Sequence, residues 1–261
     1  MRRRGGWGAA GWVVALATVI GAAGCATISP PPMVMRHDGP APMEAGQIEV
    51  MLVVGLGLGI FIDGGPGVLV RVLGQIDAGV ALGGEVGAGF NIDHTDRPNP
   101  GNHPGALFVA RGLGRFNPAG QEVVAVEGGL GLGLTSGGLL ALTANTGALV
   151  GEGFALGKHG EGAVLTPYGG PALAVSVPLR QGEPIYEVDL SSSTRIGPPK
   201  TVTTTWILGA TLGLRLESAG EQGDPLGGSL EGSWLYAWSD GDEAVLLGLS
   251  AAPSLTLAGS E

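Results

Sequence analysis

The stretch VVGLGLGIFID, residues 53–63, places glycine at 55, 57 and 59 and a large aliphatic residue at 54, 56, 58, 60 and 62. Three structures use glycine this often: a phosphate-cradling loop, a flexible linker and one face of a β-strand. A dinucleotide loop needs G-x-G-x-x-G between a strand and a helix. Here Ile60 stands where the third glycine belongs, and no helical period follows. A linker would not set Leu, Ile and Phe between its glycines. Alternation of period two is the strand signal, because successive strand side chains point to opposite faces.

The same alternation recurs down the chain. Residues 68–92 are apolar at even positions and carry Arg71, Gln75, Asp77, Glu85 and Asn91 at odd ones. Residues 122–134 set Val124, Val126, Leu130, Leu132 and Leu134 against Glu127, Gly129, Gly131 and Gly133. Residues 202–216 set Val202, Trp206, Leu208, Leu212, Leu214 and Leu216 against Thr211, Gly213 and Arg215. Turn chemistry punctuates these runs in DGGPG (63–67), NPAG (117–120), SGG (136–138), GKHGEG (157–162) and SDGD (239–242). The pattern predicts ten strands, within a range of 8–12, at 48–62, 68–82, 85–92, 106–116, 121–135, 139–152, 163–178, 201–217, 229–238 and 244–257. The boundary between the second and third is set at Gly83-Gly84, and the stretches 93–105 and 180–200 are read as the longest loops. No segment has the period of an amphipathic helix.

The chain has 261 residues, 51 of them glycine, and only 14% are charged, well below the roughly 25% usual for soluble domains. At the N-terminus, MRRR precedes the apolar run WVVALATVIGAAG, which is shorter than the ~18 residues of a membrane helix and reads as a signal peptide. The single cysteine follows at once, in AAGC, residues 22–25. This tetrapeptide resembles the bacterial lipobox, and the resemblance implies acylation of Cys25 after cleavage. Residues 1–24 then form the signal peptide, 25–46 a lipidated, proline-rich tether, and 47–261 a β domain. Cleavage removes three arginines and no acid, so the net charge moves from −10 to −13 (10 basic against 23 acidic residues). Such a balance argues against nucleic acid as a partner.

An aliphatic face opposite a glycine-rich face fits two architectures. One is a soluble, lipid-anchored β domain with the aliphatic face inward, acting as a periplasmic or surface binding module. The other is a membrane barrel with that face toward lipid. As a pattern, residues 47–257 resemble the outer-membrane β-barrel proteins of Gram-negative bacteria, with long alternating strands and short turns opposite longer loops. That resemblance implies an antiparallel up-and-down barrel in the outer membrane, with a structural or narrow-pore role and the lipid bilayer as its partner. Leu56, Leu58, Val80, Leu132, Leu208 and Leu212 would face lipid. Phe90, Phe108, Phe116, Trp206, Trp234, Tyr236 and Trp238 are candidates for its interfacial aromatic girdle. Arg71, Asp77, Glu85, Arg111, Arg115, Glu127, Arg215 and Glu231 would be enclosed together, four cations with four anions, and would have to pair.

Nothing in the sequence points to catalysis. The histidines at 37, 94, 103 and 159 lack the paired spacing of zinc sites, and DHTD (93–96) is read as a solvated loop. GGSLEG has Glu231 where a nucleophile elbow needs glycine. SSST (191–194) is read as loop, and the expectation is a non-enzyme without metal or cofactor.

Overall fold

The computed structural model describes residues 37, 39–57, 66–90, 106–118, 121–135, 137–156, 162–182, 185–189, 194–218, 226–240 and 242–257. The signal segment, Cys25, Leu58 and the DHTD loop lie outside these residues.

The chain is all-β. Ten strands pair in antiparallel fashion with their neighbours: β1 (Ile48–Gly57), β2 (Pro66–Gln75), β3 (Val80–Phe90), β4 (Ala106–Phe116), β5 (Val124–Thr135), β6 (Leu140–Gly151), β8 (Ala163–Arg180), β11 (Thr205–Ser218), β12 (Leu226–Ser239) and β13 (Asp242–Leu257). Pairing of β13 with β1 brings the ends of the chain together, and pairing of β11 with β8 completes the ring, so these ten form a closed barrel. A short strand β7 (Phe154–Leu156) continues the path of β6 along β8 after a break at Glu152 and Gly153. Strands β9 (Ile185–Asp189) and β10 (Thr194–Lys200) form a separate hairpin inside the connection read from sequence as loop. Their pairing corrects that reading: β11 begins at Thr205, not at 201.

The hairpin between β2 and β3 also differs from the sequence expectation. The chain turns at residues 76–79, and Gly83-Gly84 lies within β3. Asp77 makes this turn. Its Oδ1 accepts hydrogen bonds from the backbone N–H of Gly79 and Val80, each at 2.8 Å. Asp77 is therefore exposed at the barrel end, not enclosed among the interior charges. The pairing parity survives the moved turn, because even residues point outward on both sides of it.

In an up-and-down barrel with an even number of strands, both ends of the chain emerge at one end. The turn at 76–79 and the connections 117–123, 152–162 and 219–225 join strands at this near end, and 181–204 joins them at the far end.

The outer surface is apolar. Leu132, Leu208 and Leu212 point outward and are 46%, 52% and 73% exposed, and Val80 is partly exposed beside its turn. Outward positions of β11 run Trp206, Leu208, Ala210, Leu212, Leu214 and Leu216. That ten-residue rise, at ~3.3 Å per residue and a tilt of ~40°, gives a band about 25 Å tall. Among the described side chains of the ten strands, charged groups on the outside are confined to Arg180 and Glu243 at the far end. Phe108 and Trp206 are exposed toward that same end, with Tyr236 stacked on Trp238 at 5.7 Å between ring centroids, while Trp234, the register partner of Ala210, is exposed nearer the middle of the band. Phe116 stands at the near end.

Candidate functional site

The barrel interior gathers the polar groups. Inward parity carries Arg71 on β2, Glu85 on β3, Arg111 and Arg115 on β4, Arg215 on β11 and Glu231 on β12, each no more than 5% exposed. Glu127 on β5 is half-buried, opposite Arg115 in the register. Two further groups join them. Glu49, on the inward face of β1, is 1% exposed, and His37, in the segment preceding the barrel, is fully buried.

Three polar assemblies result. In the first, Glu85 lies between Arg71 and Arg111, its direct neighbours across β2 and β4. Arg71 Nε donates to Glu85 Oε2 at 2.9 Å, and Arg111 Nε donates to Oε1 at 2.6 Å. Each carboxylate oxygen thus has its own guanidinium, and the strand register alone brings the three together. In the second, Arg215 pairs with Glu49 across the interior and donates through Nε to Glu217 Oε1 at 2.8 Å. In the third, Tyr168 on β8 donates its hydroxyl to Glu231 Oε2 at 3.1 Å.

The segment before β1 binds into the second and third assemblies. His37 N–H donates to Glu231 Oε2 at 3.1 Å. Its ring nitrogens Nδ1 and Nε2 lie 2.8 Å from the hydroxyls of Ser229 and Ser250. Arg215 Nη1 donates to the His37 carbonyl at 3.1 Å. Toward the near end, Asn117 Nδ2 donates to the Pro40 carbonyl at 2.6 Å, and Arg115 donates to the carbonyl of Ala41. At the mouth, Gly46 N–H donates to Gln75 O, and Gln75 N–H donates to Gln47 O, both at 2.9 Å. His37 and residues 39–47 therefore lie between the near third of the barrel interior and its near rim.

Beyond this layer the interior changes character. On one side Val53, Leu69, Val109 and Ala252 form an apolar cluster with Leu107. On the other, Thr143, Ser176, Thr205, Thr211 and Ser233 are buried, with Thr211 opposite Ser233 in the register. The hydroxyls of Thr143, Thr211 and Ser233 have no hydrogen-bond partner among the described residues. Buried hydroxyls are normally satisfied, so water is the expected partner on that side. The described residues hold no cluster of three or more metal-ligating side chains.

The glycine face is packed. Inward glycines sit opposite large inward residues of the adjacent strand. A Cβ at Gly131 would lie 2.5 Å from Arg111 Cγ, and one at Gly213 would lie 2.3 Å from Tyr168 Cζ. Arg111 and Tyr168 are their register partners. The arginine stem and the tyrosine ring lie across the wall where the glycines leave room.

No protein-family model matches the sequence, and the search of curated proteins found no match. Fourteen chains of solved structures match. The β domain of the Bordetella autotransporter BrkA is 13% identical with a TM-score of 0.45, covering 82% of this chain and 100% of that one. Neisserial surface protein A (NspA) is 10% identical with a TM-score of 0.32, covering 81% of this chain and 94% of that one. The N-terminal β-barrel domain of Pseudomonas aeruginosa OprF is 10% identical with a TM-score of 0.28, covering 81% and 99%.

Proposed function

We propose that the protein is an outer-membrane β-barrel lipoprotein, anchored by acylated Cys25, with a structural or narrow-pore role. The observation that carries this reading is the uncharged aliphatic band on the outside of a closed barrel whose charges are turned inward. A soluble barrel would reverse this arrangement, because exposed apolar patches beyond a few hundred Å² are rare on soluble monomers. A band of about 25 Å matches the apolar height of outer-membrane barrels, and aromatic side chains toward its ends suit the lipid interfaces. The buried hydroxyls of Thr143, Thr211 and Ser233, without a protein partner among the described residues, support the pore side of this reading, and the Arg71–Glu85–Arg111 ion pairs at mid-strand support a stiffened wall. Envelope location is consistent with the signal segment and lipobox-like AAGC.

The test compares Leu208→Arg with Leu208→Phe in a lipid-vesicle insertion assay. Leu208 is 52% exposed, so neither substitution must fit a packed interior. Leu208 lies between the Trp206 end of the band and its middle, so in lipid arginine there should cost between the roughly 0–1 kcal/mol of the interface and the about 2–4 kcal/mol of the midplane. Equal insertion of both variants would overturn the membrane reading.

A further inference from the structure

We propose that His37 and residues 39–47 form a built-in plug that closes the barrel from the near end, latched at His37; this rests on the narrow-pore reading above. The segment is received by groups of the wall, not merely accommodated. Arg115, Asn117 and Arg215 donate to the backbone carbonyls of Ala41, Pro40 and His37. Main-chain recognition of this kind depends on the path of the segment more than on its side chains. His37 is the exception. Its ring spans from Ser229 on β12 to Ser250 on β13, while its N–H reaches Glu231. A full set of polar contacts lets an imidazole and a peptide group be buried completely at this depth.

The backbone also carries the shape of a fitted element. His37 has φ of 35° and Gly39 has φ of 67°, the left-handed region that favours glycine and is uncommon for other residues. A Cβ at Gly39 would meet Arg215 Cδ at 3.1 Å. Gly39 therefore allows the chain to turn against the same arginine that holds the His37 carbonyl. The latch differs in kind from the Arg71–Glu85–Arg111 assembly. That assembly joins strand to strand and belongs to the wall. The latch joins wall to a segment outside the sheet, so its release leaves every strand pairing intact. Above it lie the buried hydroxyls of Thr211 and Ser233, interleaved with Ile207 and Leu235; the pore proposed above would run past them, and the plug would close it.

The variant Gly39→Val tests this, since a β-branched residue is strained at that φ and crowds Arg215. His37→Ala is the companion variant, removing both ring contacts without adding bulk. Both are made in the full chain with Cys25→Ser and Thr166→Cys. Thr166 is 5% exposed and is the register partner of Arg215, and Cys25 is the only native cysteine. Labelling of residue 166 by a charged thiol reagent is measured in detergent, with a folded-band shift on gels to verify the barrel. Conductance of the same variants is measured in planar bilayers. Unseating the plug should raise the labelling rate about tenfold or more, as expected for exposing a locally protected site. It should also give larger conductance steps than the parent chain. Unchanged labelling in both variants, with barrels folded, would overturn the proposal. Faster labelling without conductance in any variant would overturn the plug and the pore role together, while leaving membrane insertion to the Leu208 test.

Discussion

Replacing Glu85 with Gln should be among the most damaging isosteric changes in this barrel. The substitution keeps the side-chain volume and removes only the charge. It leaves Arg71 and Arg111, 3% and 5% exposed, facing a neutral amide. Their guanidinium groups converge on one carboxylate from the strands on either side of β3, about 9.5 Å apart if each keeps to its own strand. At an effective dielectric of about 20, two unit charges at that separation repel by about 2 kcal/mol. Loss of the compensating anion raises the total to about 3–5 kcal/mol, the usual cost of breaking a buried pair from one side. Arg71→Met acts differently. It leaves Glu85 and Arg111 as a balanced pair, so its cost should be less than half that of Glu85→Gln. The measurement is urea unfolding of the barrel refolded into lipid vesicles, followed by fluorescence of Trp206, Trp234 and Trp238. The double variant Arg71→Met/Glu85→Gln should be more stable than the sum of the single losses predicts, because it removes the repulsion. A loss below about 0.5 kcal/mol for Glu85→Gln would show that the carboxylate is solvated. A larger loss for Arg71→Met than for Glu85→Gln would refute its position as the hub.

Gly213→Val should cost about 1–3 kcal/mol in the same titration, as overpacking against the Tyr168 ring, and much of the loss should disappear in a Tyr168→Ala background. Asp77→Ala should cost about 1 kcal/mol, the net worth of its turn hydrogen bonds; a loss above about 3 kcal/mol would return Asp77 to the interior network. Cys25→Ser should abolish incorporation of a palmitate analogue and leave an unprocessed precursor, and persistent labelling would sink the lipid anchor.

What the sequence disclosed was parity. Strand side chains alternate with a period of two, so each inward charge on a strand is marked by the aliphatic neighbours on either side. Arg71 between Val70 and Val72 is legible in that way, as is Arg215 between Leu214 and Leu216. Turn position was less legible, because glycine has two uses. Gly83-Gly84 resembles a turn, but a Cβ at Gly83 would lie 2.9 Å from Leu73 Cα, so packing explains that glycine. The real turn carries Asp77 and Gly79, an ordinary Asx-turn signal hidden by alternation on both sides. Glu49 had the correct odd parity in its strand but was obscured by the glycines that dominate the same face of residues 53–63. His37 left no signal. Its segment has no period, and its place depends on serines and a glutamate about two hundred residues away.

The question raised by VVGLGLGIFID is answered by where the neighbours' side chains go. A closed ring of ten strands cannot hold a large inward residue at every inward position, since facing side chains would meet near the axis. Alternation in sequence addresses the outside, and alternation between neighbouring strands addresses the inside. Gly131 opposite Arg111 and Gly213 opposite Tyr168 let one strand cover two positions. The covering side chain lies along the wall instead of projecting toward the axis. It also shields the glycine backbone that would otherwise face the interior, as aromatic residues do beside glycine in other sheets. The ends of these side chains are then placed where polar partners can reach them. Arg111 meets Glu85 on the strand to one side while covering Gly131 on the other, and Tyr168 covers Gly213 while its hydroxyl reaches Glu231 one strand further on. Packing and pairing therefore depend on the same glycines. Filling Gly131 would displace the Arg111 stem and with it the guanidinium that balances Glu85, so a change that adds no charge should nevertheless disturb the ion pairs.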